Sequence, residues 1–166
     1  MRNFFVVAMV LLLSSCSSWE QFKESTGITP KTSSVELVID SSQALNTREG
    51  GQSSPVILRI HELSSPVLFR SLDFFALFEN DKASLGDEYI KRYEFQLEPG
   101  EHLHQIIQLN SKTRALGFSA AFRHINGSSW RKVEMIKPKT RYYLHLKVQG
   151  SELVIDNTRG VEQTFF

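Results

Sequence analysis

This sequence predicts a mostly β protein: a β-sandwich of about eight short strands with one or two short helices added. Three observations carry that reading. From Ser33 onward apolar and polar residues alternate with period two, as half-buried strands require. Turn signals such as Pro99-Gly100, Asn126-Gly127 and Gly150-Ser151 separate most of these runs. One stretch, Leu68 to Ile90, abandons the alternation for helical spacing.

The strands follow in order. Val35, Leu37 and Ile39 share one face of the first. Val56, Leu58 and Ile60 do so in the second, with Arg59 and His61 opposite. Tyr93, Phe95 and Leu97 alternate with Arg92, Glu94, Gln96 and Glu98 in the third. Leu103, Ile107 and Leu109 mark the fourth. Leu116, Phe118, Ala120 and Phe122 mark the fifth, with Gly117, Ser119 and Ala121 on its other side. Trp130 to Ile136 is a weaker sixth. Tyr142, Leu144, Leu146 and Val148 form a strong seventh, and Leu153 and Ile155 an eighth. Eight short strands with turns between them are the pattern of a sandwich.

Two segments interrupt the sandwich. Ser41 to Ser54 is a long polar loop containing Gly50-Gly51. In the helical insertion, at about 68–90, Ser71 is the expected N-cap, and Leu72, Phe75, Ala76 and Phe78 fall at helical spacing. Ala83 to Ile90 offers a second short helix, weakened by Gly86. Leu72 to Phe78 is apolar almost all round, so it is either wedged into the core or partly a docking surface.

The N-terminus reads as a secretory signal. Arg2 gives a positive start, and Phe4 to Leu13 an apolar core of ten residues. That core is too short to span roughly 30 Å of hydrocarbon as a helix. Leu13, Ser14 and Ser15 precede Cys16 as a lipobox, which predicts cleavage after residue 15 and a covalent diacylglycerol and N-acyl lipid (palmitate-type chains) on Cys16. The bland alternative is a buried small hydrophobe. A single cysteine excludes a disulfide within the chain. One acyl chain holds a protein only marginally, whereas two or three hold it stably. Ser17, in place of Asp, after the lipidated cysteine predicts an outer-membrane destination.

The expected organisation is therefore a signal peptide at 1–15, a lipidated tether at 16–32, a sandwich domain at 33–157 and a tail at 158–166. Residues 17–32 would reach roughly 50–58 Å fully extended and about 20–25 Å as a flexible coil. Trp19 and Phe22 would form one turn of interfacial helix or belong to a loose linker. Of 19 basic residues only Arg2 lies in the signal, leaving 18 against 18 acidic ones. A neutral body argues against a nucleic-acid partner.

No catalytic constellation stands out, and the sequence is read as a non-enzyme. Gly117-Phe118-Ser119-Ala120-Ala121 resembles a nucleophile elbow, but that motif needs a sharp strand-to-helix turn, and Ser119 falls inside a strand. His102 and His104 share a strand face without a third metal ligand nearby, and exposed strand histidines are the simpler reading. His61, His124 and His145 also fall on polar phases. Asp81 begins no calcium loop, and Asp73 suits a helix N-terminus. Neither a metal nor a cofactor beyond the lipid is expected.

With these pieces in order, the chain resembles the TssJ (VasD-type) lipoproteins of type VI secretion systems. The matching run begins at Asn46 and Gly50-Gly51. It continues through Ser54-Pro55-Val56, Arg59-Ile60, Leu63, Phe69 and Asp73-Phe74-Phe75-Ala76-Leu77-Phe78. Leu85-Gly86, Leu97-Glu98-Pro99-Gly100-Glu101, Ala120-Ala121-Phe122-Arg123 and Trp130 follow. The resemblance spans roughly Ser33 to Ile155. His61-Glu62 stands where members often carry Tyr-Gln, and the 158–166 tail matches nothing in the family.

The resemblance implies a transthyretin-like sandwich, lipid-anchored in the outer membrane and facing the periplasm. It implies binding to the periplasmic C-terminal region of TssM and, through it, association with TssL. The loop would carry the grip, with Ala44, Leu45, Asn46, Thr47 and Arg48 supplying apolar and guanidinium contacts of the kind interfaces favour. A disordered loop without a partner is the alternative. Rival functions are a pilotin-like lipoprotein and a binder of small ligands or glycans, the latter with Tyr143 on its sheet face.

Overall fold

A computed structural model describes residues 32–162; Cys16, its lipobox and the tether before Thr32 lie outside the described residues. Eight strands form two four-stranded sheets. They are β1 (Ser34–Ser41), β2 (Val56–Leu63), β3 (Tyr89–Leu97), β4 (His102–Gln108), β5 (Ala115–Ala120), β6 (Arg131–Met135), β7 (Thr140–Gln149) and β8 (Glu152–Glu162). One sheet runs β4-β1-β7-β8, the other β3-β2-β5-β6. All neighbours are antiparallel except β1 and β7.

Alternation explains the main core. Val35, Leu37 and Ile39 of β1 meet Val56, Leu58 and Ile60 of β2, Phe118 of β5, and Leu144, Leu146 and Val148 of β7 between the sheets. Burying each such side chain contributes roughly 1.5–3 kcal/mol. β8 continues past Ile155, pairing Thr158 with Leu144 and Glu162 with Thr140. Residues 158–162 are thus the end of a strand rather than part of a separate tail.

The insertion lies between β2 and β3 as α1 (Val67–Ser71), α2 (Phe74–Glu79) and α3 (Asp81–Leu85), followed by a 3-10 turn at Gly86–Glu88. Asp73, not Ser71, caps α2: its carboxylate accepts the Ala76 N–H at 2.9 Å. Ser71 instead ends α1 and donates to Leu68 O. The insertion roofs the outer face of the β2/β5 sheet, where Leu63, Phe69, Leu77, Leu85 and Ala115 form a second core. Two arginines rising from the sheet hold the roof by its carbonyls. Arg131 donates to Phe69 O and Leu72 O, and Arg59 donates to Phe78 O. Leu77 is buried, Phe74 and Phe78 stack half-buried, and Phe75 remains 64% exposed. The apolar run therefore divides between core and surface.

This roof overturns one expectation. His61 sits on the polar phase of β2, yet it is fully buried because α3 and Phe69 cover it. Its Nε2 meets Asp81 Oδ2 at 2.9 Å, and Nδ1 has no partner among the described residues. Burial holds His61 below its ordinary value of 6.5, against the opposing pull of Asp81. For a base held neutral in the fold, stability is fully present above the unfolded pKa of about 6.5. It is lost as pH falls from there towards the folded pKa. Urea unfolding midpoints should therefore drop from pH 7 to 5.5 in the native chain. His61→Gln should flatten that drop, and an equally steep decline in the variant would refute the assignment.

Candidate partner-binding site

β1 and β2 are joined by residues 42–55, the loop read above as the grip. It is a fixed base carrying an exposed tip. Asn46 holds the base: its backbone N–H donates to Gly150 O, its Nδ2 to Pro55 O at 2.9 Å, and its Oδ1 accepts the Arg123 N–H at 2.8 Å. These bonds require the left-handed turn that Asn46 adopts at φ 47°, a conformation asparagine tolerates better than most residues. Leu45, fully buried, plugs the main core directly beside it.

The tip closes on itself. Arg48 N–H donates to Gln52 O and Gly51 N–H to Arg48 O, while Arg48 Nε reaches Ser54 Oγ at 3.2 Å. Gly50 and Gly51 take φ of 101° and 82°, which glycine adopts at no steric cost. Of the five residues expected at the interface, Ala44, Thr47 and Arg48 are exposed, whereas Leu45 and Asn46 are buried. Those two shape the site from beneath. An isolated leucine in a polar loop carries no periodicity, so nothing in the sequence separates a core plug from a surface anchor.

Topology adds residues that a linear reading does not connect. The β5–β6 connection and the β7–β8 turn end at the same pole. With the loop they frame a notch of about 150 Å³ lined by Asn46, Thr47, His124, Gly150 and Ser151. The β3–β4 turn closes the other side, where Gly100 N–H donates to Ser42 O. Gly100 turns the chain there at φ 76°, a left-handed conformation that a side chain would strain.

The other singled-out residues are structural or exposed. Ser119 is buried inside β5, and its hydroxyl has no partner among the described residues. His104 meets Glu36 at 3.1 Å, and His102 and His145 both face Asp40, on the open face of the β1 sheet. Hydrogen bonds from these two histidines hold the Asp40 carboxyl below its ordinary value. Tyr143 lies on the same face under the Arg159 guanidinium. Among the described residues no group of three or more His, Cys, Asp or Glu can hold a metal ion, and no helix is long and apolar enough to cross a membrane.

A two-sheet sandwich roofed by a helical insertion and carrying a braced loop at one pole is the fold of a small β-sandwich protein whose features point to binding rather than catalysis. The model of the type VI secretion lipoprotein family (VasD, EvfM, TssJ) matches residues 33–151. The chain belongs to this family. The T6SS lipoprotein TssJ1 from Pseudomonas aeruginosa is 30% identical, with a TM-score of 0.75 over 77% of this chain and 97% of that one. Serratia marcescens Lip, a membrane-bound component of the type VI secretion system, shares the fold at 23% identity and a TM-score of 0.70, over 76% and 99%. A chain in the structure of the T6SS protein TssM C-terminal domain from EAEC is 25% identical, with a TM-score of 0.63 over 75% and 98%. A search of curated proteins found no match.

Proposed function

We propose that this protein is the lipid-anchored subunit that fixes the type VI membrane complex to the outer membrane. It would sit on the periplasmic side, hold the periplasmic C-terminal region of TssM, and through TssM connect to TssL. The observation that carries this reading is the similarity, over nearly the whole of the matched chain, to a protein present in a structure of the TssM C-terminal domain. The loop pole supports it. Its tip is exposed but braced, so binding would cost little ordering entropy.

The test is binding of the chain from residue 17 onward to the periplasmic C-terminal region of TssM from the same organism. Saturable one-to-one binding is expected, and no binding at tens of micromolar with both partners folded would remove the proposal. Replacing Thr47 to Gly51 by a shorter turn should weaken binding at least tenfold while leaving thermal unfolding nearly unchanged. Unaltered affinity would move the grip to the exposed Phe75 face. Any deletion that includes Leu45 or Asn46 confounds the experiment, because those residues belong to the fold.

Anchoring is tested separately. Cys16→Ser should give an unprocessed precursor missing from the outer-membrane fraction. Normal fractionation of this variant would refute lipidation at Cys16.

A further inference from the structure

At the end of the sandwich opposite the loop, the chain comes in from the tether at Ser33. Ser33 ties three segments together there. Its Oγ donates to Lys137 O and accepts the Thr140 N–H, and its carbonyl accepts the Leu109 N–H. The connections 109–114 and 136–139 meet at this pole, joined by the bond from Ile136 N–H to Arg114 O.

Two features coincide here. These connections and the start of β7 carry Lys112, Arg114, Lys137, Lys139 and Arg141, all exposed, with no acidic residue among them. Of these, Lys112, Arg114, Lys137 and Arg141 form no ion pair among the described residues. The acidic residues at this end are fewer. Glu62 is buried and accepts from Asn110 and Thr113, Glu134 is half-buried on β6, Glu88 accepts the Leu68 N–H beside Asp87, and Glu162 closes β8 opposite Thr140. Exposed apolar side chains gather at the same end. Of the six large hydrophobic residues exposed among the described residues, Val67, Leu68, Met135 and Val161 flank it. Met135 lies against Arg70 at the foot of β6, and Val161 pairs with Arg141. None of the six lies on the loop pole.

We propose that this pole is a membrane-resting surface: its cations take anionic phospholipid headgroups, and its apolar rim lies at the headgroup boundary. The inference rests on the lipid-anchored reading above. The tether starts at this pole, so an anchored body is held within a few tens of ångströms of the bilayer. At the resulting effective concentration a weak patch suffices. The chain after residue 15 balances 18 basic against 18 acidic residues, so an attraction to an anionic surface must come from segregated charge.

The test uses the full lipidated chain in vesicles of phosphatidylcholine with or without phosphatidylglycerol. A dye on Ser111→Cys reports the tether pole and one on Glu49→Cys the loop pole, each read by energy transfer to labelled lipid. Strong transfer from position 111 only on anionic vesicles, relaxing in 0.5 M salt, is expected. Lys112→Gln, Lys137→Gln and Arg141→Gln together should lower the docked-to-free ratio about a hundredfold, at roughly fivefold per cation, with unchanged thermal unfolding. Val67→Ser with Met135→Ser should lower it as well and leave the salt dependence in place.

Equal transfer on neutral and anionic vesicles would overturn the proposal, as would transfer that the triple variant leaves intact. So would loss of TssM binding in that variant without loss of vesicle contact, because the pole would then be a protein interface. Failure of the chain to remain with either kind of vesicle would instead refute the lipid anchor, and this proposal with it.

Discussion

Phe69→Ala is expected to destabilise the protein by about 3–5 kcal/mol, lowering Tm by roughly 10 °C. Phe69 is the nail of the helical roof. It is fully buried, its ring centroid lies 5.4 Å from that of His61, and it packs with Leu77, Leu85 and Ala115. The ring occupies the space a side chain would take on Gly117, where an added Cβ would fall 2.6–2.8 Å from three of its atoms. Gly117 is thus the socket, and Gly117→Ala alone should also destabilise by overpacking. Because one substitution empties the space the other fills, the double variant should be less destabilised than the sum of the two. A double-mutant cycle by urea unfolding measures this. Strict additivity would show that ring and glycine do not share the space.

Glu62→Ala is expected to cost about 3–5 kcal/mol as well, by leaving buried donors without an acceptor. Glu62 is 1% exposed. Oε1 accepts the Tyr93 hydroxyl at 2.8 Å, and Oε2 accepts the Asn110 N–H at 2.8 Å and the Thr113 hydroxyl at 2.6 Å. One carboxylate therefore ties β2 to β3 and to the turn before β5. Glu62→Gln should cost less but still be felt, since its amide NH₂ would face a donor. Burial and the neighbouring Glu62 together push the Tyr93 phenol well above its ordinary value of 10. Spectroscopic titration should accordingly show this phenol ionising at lower pH in Glu62→Gln than in the native chain. An unmoved phenol, or a stability loss below 1 kcal/mol, would refute this account of Glu62.

All eight strands were legible, because period two survives in even the short ones. What periodicity does not tell is whether the second face of a sheet is covered. Gly117 and Ser119 lie opposite the core-facing residues of β5, as the pattern says, yet they are buried beneath Phe69 and the roof. His61 was misplaced for the same reason. Sheet order was out of reach, since it depends on which strands pair across long stretches of chain. The end of β8 reads Asn157-Thr158-Arg159-Gly160, too polar to announce a strand, and it is held by pairing to β7. The loop was recognisable by length and glycines, whereas its division into braced base and exposed tip depends on Gly150, Arg123 and Pro55.

The place of β1 has a mechanical consequence. Along the chain, this strand is the direct covalent path from Ser33 to the loop, over about 26 Å at 3.3 Å per residue. It is an interior strand, bonded along its length to β4 on one side and to β7 on the other. If lipid holds one end and a partner the other, tension runs along β1 and loads those ladders in shear. Bonds lying across the pull must yield together, whereas an edge strand such as β8, drawn sideways, would unzip one pair at a time. Under that loading, β1 is the strand placed to resist the pull.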